Sequence, residues 1–190
     1  MIKHSRFYSL FLLGFTLTPQ MILASEPSLD KLKAEAVSIV KQFGGELKPR
    51  LKQAMKTKGP VHAIDVCSKQ APEIADKLTK QTGWHVKRVS LKPRNSTRAV
   101  ADEWESRVLK QFDQRQAQGE SADTLVKAEI VNGQFRFMKA QAVGAVCMNC
   151  HASEINPNVE AKLKQLYPED KARGYSPGQI RGAFSLARDL

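Results

Sequence analysis

The sequence lacks a long hydrophobic run, an internal repeat and the biased composition of disordered or collagen-like chains. Its apolar N-terminal run is interrupted before it reaches the ~20 residues that a membrane-spanning helix needs, so a retained membrane anchor is the weaker interpretation of that run. The 190 residues are 42% hydrophobic, which is enough to bury a sizeable core. This length predicts one domain preceded by a targeting segment.

The first 24 residues have the parts of a secretory signal sequence. Lys3 and Arg6 form a basic start, residues 7–17 form the apolar segment, and Ala24 precedes the expected cleavage site. No cysteine follows the apolar segment, which argues against a lipoprotein anchor. The sequence therefore predicts a signal peptide over 1–24 and a mature domain over 25–190. We expect an exported, soluble protein of a bacterial periplasm, with no stable membrane insertion after cleavage.

Acidic residues are scarce relative to basic ones. The formal net charge is +11, and removal of Lys3 and Arg6 would leave +9. Such a charge suits nucleic acid, an anionic membrane surface or an acidic protein partner. Export argues against nucleic acid. Most lysines lie at helical spacing among polar residues, as on a solvated face, and a redox partner protein with an acidic surface is the remaining candidate.

The order of periodic segments predicts helices first and a sheet later. Helical spacing covers residues 28–58, then a segment that ends at Gly83, then 102–118, and a short helix around 158–166. Gly44 and Gly45 are candidate kink positions, and Gly59-Pro60 is predicted to end the first helix. Alternation predicts strands over 84–91, on both sides of Asn132-Gly133, and over 179–188. This order favours an α+β fold, an antiparallel sheet with helices packed on it.

The segment GAVCMNCHAS, residues 144–153, contains the pattern C-x-x-C-H. In a c-type haem, two cysteine sulfurs form thioether bonds to the porphyrin, and the next histidine binds the iron, so the porphyrin fixes this spacing. Cys147 and Cys150 are then the attachment sulfurs of one covalent haem c, and His151 is the proximal iron ligand. A thioredoxin-like dithiol lacks its usual βαβ context, and a zinc site that adds Cys67 and one histidine lacks paired ligand spacing. A plain disulfide between Cys147 and Cys150 is the simplest alternative.

The third cysteine, Cys67, has no partner if the other two hold a haem. From the residues alone it is a buried core residue, one half of an intermolecular disulfide, or the second iron ligand. The segment VCSKQAPEIA predicts that it begins a helix, where free amides and the macrodipole lower a thiol pKa and favour the thiolate that binds iron. His62, His85 and Met138 are the other candidate ligands.

Five segments together resemble c-type haem domains with a PAS-like fold and mixed histidine/cysteine iron ligation, related to a cyanobacterial haem protein and to bacterial haem sensor modules. They are GPVHAIDVCSKQAPEIA, GWHVKRVSLKPRN, DEWE, CMNCH and YPEDKARGYSPGQIRGAFS. The resemblance implies a PAS-like sheet with flanking helices, with Cys67 as the distal ligand and His151 as the proximal one. The loop departs from the family after Arg94-Asn95, where Ser96 stands in place of proline.

Arginine suits carboxylates, so Arg88 and Arg94 are candidate contacts of the haem propionates. Two strong ligands leave no open position on the iron, so we expect electron transfer or redox signalling rather than an enzyme. A thiolate ligand stabilises ferric iron and predicts a low potential. The first alternative is a gas or redox sensor that works with a separate signalling partner, because a thiolate can leave the iron. The second is a thiol-disulfide oxidoreductase that uses Cys147 and Cys150.

Overall fold

The computed structural model describes residues 28–190. The helices are α1 (Leu29–Asp65), α2 (Ala71–Thr82), α3 (Glu103–Ala117), α4 (Met148–His151) and α5 (Pro157–Leu166), and the strands are β1 (His85–Val89), β2 (Val126–Val131), β3 (Gln134–Ala142) and β4 (Ile180–Asp189). The predicted signal peptide, residues 1–24, lies outside the described residues and stays a prediction. None of the described helices is long and apolar enough to cross a bilayer.

Helix α1 is interrupted at Gly59 and not at Gly44 or Gly45. The side chain of Ser28 caps its first turn, and Gly44 and Gly45 lie inside regular helix, so the prediction of a kink there is wrong. A buried stripe, which includes Phe43 and Leu47 on either side of the two glycines, holds this part of the helix against the sheet. The bend falls at Gly59, whose φ of 75° only glycine adopts easily.

The predicted end of the first helix at Gly59-Pro60 is confirmed, because Gly59 leaves helical geometry with φ 75° and ψ −177°, and a second helical segment begins directly after it. Residues 60–65 complete α1, and a π-helical turn (Val66–Gln70) joins it to α2. Pro72 lies at the start of α2, directly after the π-helical turn. Gly83 ends α2 in the left-handed conformation, with φ 73°. The predicted end of this helix is therefore confirmed.

The four strands form one antiparallel sheet in the order β1-β4-β3-β2. Asn132 and Gly133 join β2 to β3 with φ values of 51° and 76°. Positive φ at both central residues is the two-residue turn that matches the twist of a hairpin. The predicted strand over 84–91, the hairpin and the last strand are confirmed, and so is the α+β class with an antiparallel sheet and flanking helices.

Helices cover both faces of the sheet. On the first face, Phe135, Phe137 and Leu186 pack against α1 and α2. On the second face, Met138 and Ala183 pack against α3, which also contributes apolar side chains to this core. Successive strand residues alternate between these two faces because side chains in a strand point to opposite sides.

One end of the sheet carries an irregularity that concerns the candidate site. Gln141 pairs with Gly182 and Ala142 pairs with Ile180, so Arg181 between them has no partner in β3. Such a β-bulge turns one side chain away from the regular alternation. Strand β1 ends, β3 ends and β4 begins at this end of the sheet, and the C-x-x-C-H segment starts directly after β3.

Candidate functional site

The C-x-x-C-H segment packs against the loop before β4 on one side and against the end of α1 on the other. A 3₁₀ turn (Ala145–Cys147) leads into the short helix α4. Cys147 packs against an apolar cluster that includes Tyr175, whereas Cys150 packs against the cluster of Ile64, near the end of α1. Cys147, Cys150 and Cys67 are all free and half-buried. Both motif cysteines are therefore partly accessible thiols that lie beside buried apolar side chains.

The ring of His151 is held by the backbone. Its Nδ1 lies 2.7 Å from the carbonyl oxygen of Ala172, and its own carbonyl accepts a hydrogen bond from the amide of Tyr175 at 3.0 Å. Because a carbonyl oxygen can only accept, the proton lies on Nδ1, and Nε2 keeps its lone pair. Burial, reinforced by the nearby positive charges of Arg181 and Arg94, lowers the pKa of His151 to about 2. The neutral imidazole that binds metals is thus the favoured form.

Cys67 does not begin a helix, so that prediction is wrong. It lies in the π-helical turn between α1 and α2, and its flanking residues Asp65 and Gln70 are both helical. No free helix N-terminus is therefore available to stabilise a thiolate here. Burial raises the pKa of the Cys67 thiol, and the charges of Arg88, Arg94 and Arg181 oppose this effect without overcoming it.

Cys67 and the C-x-x-C-H segment nevertheless meet in one site. Ile64, three residues before Cys67, belongs to the cluster against which Cys150 packs. Ionisation of Cys147 is close enough to raise the pKa of Cys67 further. The fold thus brings Cys67 next to the C-x-x-C-H segment, although the two are about 80 residues apart along the chain. All four residues that the sequence predicted to hold a haem lie in this site.

Arg88 and Arg94 both point into this site, with different surroundings. Arg88 lies on the first face of the sheet with its guanidinium 5.3 Å from the ring centroid of Phe43, and burial lowers its pKa. No acidic side chain among the described residues pairs with Arg88. Arg94 instead forms an ion pair with Asp170 at 3.1 Å. The prediction that both arginines contact propionates stays a prediction, and Arg88 is the one whose charge is unpaired.

Arg181 is a site residue that the sequence reasoning missed. Its Nε lies 3.2 Å from Nδ1 and 3.5 Å from Nε2 of His151, and its Nη1 donates to the hydroxyl of Ser90 at 2.9 Å. Burial lowers the pKa of Arg181 to about 10, so it is still charged at neutral pH. Glycine inside a predicted strand often marks a bulge, and Gly182 was the one sequence signal for this residue.

The other candidate iron ligands differ in their surroundings. His62 faces Asp65 at 3.8 Å, His85 is exposed on β1, and Met138 is fully buried on the second face of the sheet. For the zinc alternative, residues 28–190 contain no group of three or more histidine, cysteine or acidic side chains placed to hold a metal ion. Met138 thus lies on the face opposite Arg88, and Cys67 is the candidate whose pKa responds to the arginines of the site.

Three comparisons with known proteins bear on this arrangement. No curated protein matches the chain. Among solved structures, the crystal structure of the cyanobacterial haem protein Tll0287 superposes with a TM-score of 0.67 at 20% sequence identity, over 84% of this chain and 95% of that one. At this identity the likeness shows a shared fold. A model of the protein family described as Tll0287-like matches residues 23–188. The chain therefore belongs to the Tll0287-like family.

Proposed function

We propose that this protein is a periplasmic c-type cytochrome that carries one covalently attached haem and acts in electron transfer. One observation carries the proposal: C-x-x-C-H and the distant Cys67 share one site, which is lined by arginines. The relative of known structure is itself a haem protein, which supports haem binding here.

The donor set fits a haem c. Cys147 and Cys150 are free thiols at the spacing that two thioether bonds need, and His151 presents Nε2. Arg88 and Arg181 have no acidic partner among the described residues, and a haem brings two propionates that would pair with such cations. When bound, the haem would supply one-electron chemistry at its iron.

The protein's own groups would hold the cofactor and set its electronic surroundings. The carbonyl of Ala172 fixes the ring of His151, and Cys67 offers a second, electron-rich ligand. The apolar clusters beside Cys147 and Cys150 exclude water from one side of the site. A haem iron held by both His151 and Cys67 would have no open position, and outer-sphere electron transfer would be the chemistry that it supplies here.

The surface near Cys67 suits a redox partner with an acidic docking face. Five exposed cations occupy residues 47–64, a stretch without any acidic residue: Lys48, Arg50, Lys52, Lys56 and Lys58. Arg50 donates a hydrogen bond at 3.3 Å to Gln70, in the same π-helical turn as Cys67. Such a field would steer an acidic partner toward this side of the site and would weaken with added salt.

Sensing is the second candidate, and the environment of Cys67 favours it over the thiol-disulfide alternative. Because burial raises the thiol pKa, the protein alone favours the protonated form, which binds iron weakly. Release of Cys67 would then open one position for a small gas, and a separate partner would have to read the change. A carrier and a sensor differ in whether carbon monoxide binds to the wild-type ferrous protein without displacement of a tight ligand.

The primary test is covalent attachment. The chain is expressed with the cytochrome c maturation machinery, denatured, and separated on a gel stained for haem. We expect stain at the mass of the wild type, and none when Cys147 and Cys150 are both replaced by alanine. Loss of haem from the denatured wild type would refute the proposal. Mass spectrometry of the periplasmic fraction tests localisation, with a mature chain that begins near Ser25 as the expected result.

A further inference from the structure

The guanidinium of Arg94 contacts the two chain segments that orient His151. Its Nε donates to the Asp170 carboxylate at 3.1 Å, and its Nη2 donates to the carbonyls of Cys150 at 2.5 Å and of Ala172 at 3.3 Å. Only 11% of the Arg94 side chain and 9% of the Asp170 side chain are exposed. Arg94 thus links the loop after β1 both to the attachment helix α4 and to the loop before β4.

Asp170 extends this link to the carbonyl that fixes the histidine ring. One carboxylate oxygen takes the hydrogen bond from Arg94, while the other accepts from the amide of Ala172 at 2.8 Å. The backbone of the two loops is also joined directly, because the amide of Lys171 donates to the carbonyl of Pro93 at 3.0 Å. The position of the Ala172 carbonyl, and with it the ring of His151, depends on these contacts.

The charges within this link are balanced. A largely buried arginine and carboxylate in direct contact neutralise each other, so Arg94 differs from Arg88, whose charge has no acidic partner among the described residues. Removing either member of a buried pair leaves the other without compensation. The pair therefore holds its geometry firmly, as a support for an oriented metal ligand must.

On the basis of the proposed function, we propose that Arg94 and Asp170 form the positioning pair of His151. They would act through the Ala172 carbonyl, which keeps the proton on Nδ1 and so leaves the lone pair of Nε2 available to a haem iron. Outer contacts of this kind fix the tautomer and the basicity of metal-binding histidines in other proteins. Arg94 touches the backbone around the ligand and acts through it.

The test compares Arg94→Gln and Asp170→Asn with Arg98→Gln in the holoprotein. Arg98 lies on the same loop, but its side chain is 48% exposed and it pairs with the exposed Asp76, so it is a matched control. The readout is the solvent exchange rate of the His151 Nδ1 proton, measured by NMR in the reduced, low-spin ferrous form, which is diamagnetic. The midpoint potential and the ferric absorption spectrum are recorded on the same samples.

We expect exchange about tenfold faster in Arg94→Gln and in Asp170→Asn, the effect of weakening about one hydrogen bond. The potential should shift in the same direction in both. The double variant should shift no further than the larger single change, because the two residues act as one unit. Arg98→Gln should match the wild type in all three readouts.

The proposal is overturned if Arg94→Gln and Asp170→Asn lower the melting temperature yet leave the exchange rate and the potential at wild-type values. Additive shifts in the double variant would also overturn it. If Arg94→Gln fails to mature, Asp170→Asn decides by the same readouts. A wild type without covalent haem refutes the proposed function on the gel. The tautomer of His151 in the unloaded protein, read by nitrogen NMR, then tests the positioning pair alone.

Discussion

Cys67 shows how much a single residue depends on its surroundings. Burial raises its thiol pKa while three arginines lower it, so the thiolate is only partly supported by the protein. If the iron binds this sulfur, the metal must supply the rest of the stabilisation.

Replacement of Cys67 by alanine should keep the covalent haem, because the attachment cysteines are elsewhere. We expect the ferric absorption spectrum to move toward high spin or toward a replacement ligand such as water. The potential should rise, since electron donation from sulfur is lost. Carbon monoxide should bind faster because one position opens. A wild-type spectrum and potential in this variant would make Cys67 a core residue and return attention to His62 and His85.

Acid should reproduce part of the change caused by Cys67→Ala. A raised thiol pKa means that the protonated form is favoured up to a higher pH than for an ordinary cysteine, so ligation is lost as the pH falls and is retained as it rises. The measurement is a pH titration of the ferric spectrum, with circular dichroism as a check that the chain stays folded. A loss of sulfur ligation on the alkaline side would contradict the expectation.

At the scale of elements, the bulge in β4 is the feature that completes the site. It frees Arg181 from the sheet register and directs it at His151. The next residue, Gly182, has φ 158°, and a Cβ there would lie 2.3 Å from the carbonyl oxygen of Val89. Only glycine lets β1 and β4 approach this closely at the bulge.

Gly182→Ala should therefore destabilise the protein, by about 1–3 kcal/mol for an overpacked position. The shift of backbone should also displace Arg181, and we expect a changed midpoint potential. Gly45→Ala is the matched control, since Gly45 lies in regular helix with nothing within 4 Å of a new Cβ. It should raise stability by about 0.5–1 kcal/mol and leave the potential unchanged.

Thermal unfolding of both glycine variants checks these signs, at about 2–4 °C per kcal/mol for a chain of this size. Equal melting temperatures for Gly182→Ala and the wild type would show that β1 and β4 can separate there without cost. That result would contradict the expected loss of stability in Gly182→Ala.

At the scale of the whole molecule, the first face of the sheet borders the candidate site, whereas the second face packs against α3. The candidate site lies beyond one end of the sheet and borders its first face. The second face holds a buried charge network around Glu105, which is fully buried and accepts a hydrogen bond from Ser185 at 2.6 Å. Lys87 and Arg136 reach the same carboxylate at 3.0 and 3.3 Å. This network fastens α3 to the sheet, away from Cys67.

Glu105→Gln should separate stability from redox behaviour. Breaking a buried pair leaves uncompensated charge, so we expect a loss of about 3 kcal/mol in the free energy of unfolding. The potential should change little because the network lies on the face opposite Arg88. Glu103→Gln is the control: its side chain is 91% exposed, and its pair with Arg107 contributes about 0–1 kcal/mol. A large shift of the midpoint potential in Glu105→Gln would contradict the claim that the Glu105 network is separate from the candidate site.

The sequence by itself determined the elements whose signals are local. Gly83 stops α2 and Asn132-Gly133 makes the hairpin turn, so each could be predicted without knowledge of the rest of the chain. The resemblance to a haem domain family likewise rested on short ordered segments, and the family match confirmed it.

Only the tertiary structure decided what depends on residues far apart in the chain. Helix α1 passes through Gly44 and Gly45 because its buried stripe packs on the sheet, which local propensity does not include. Cys67 lies in a helical junction rather than at a helix start. The bulge that directs Arg181 arises from the register between β3 and β4, and the ion pair of Arg94 with Asp170 joins residues 76 positions apart. Such contacts form only when the loops are brought together by the sheet.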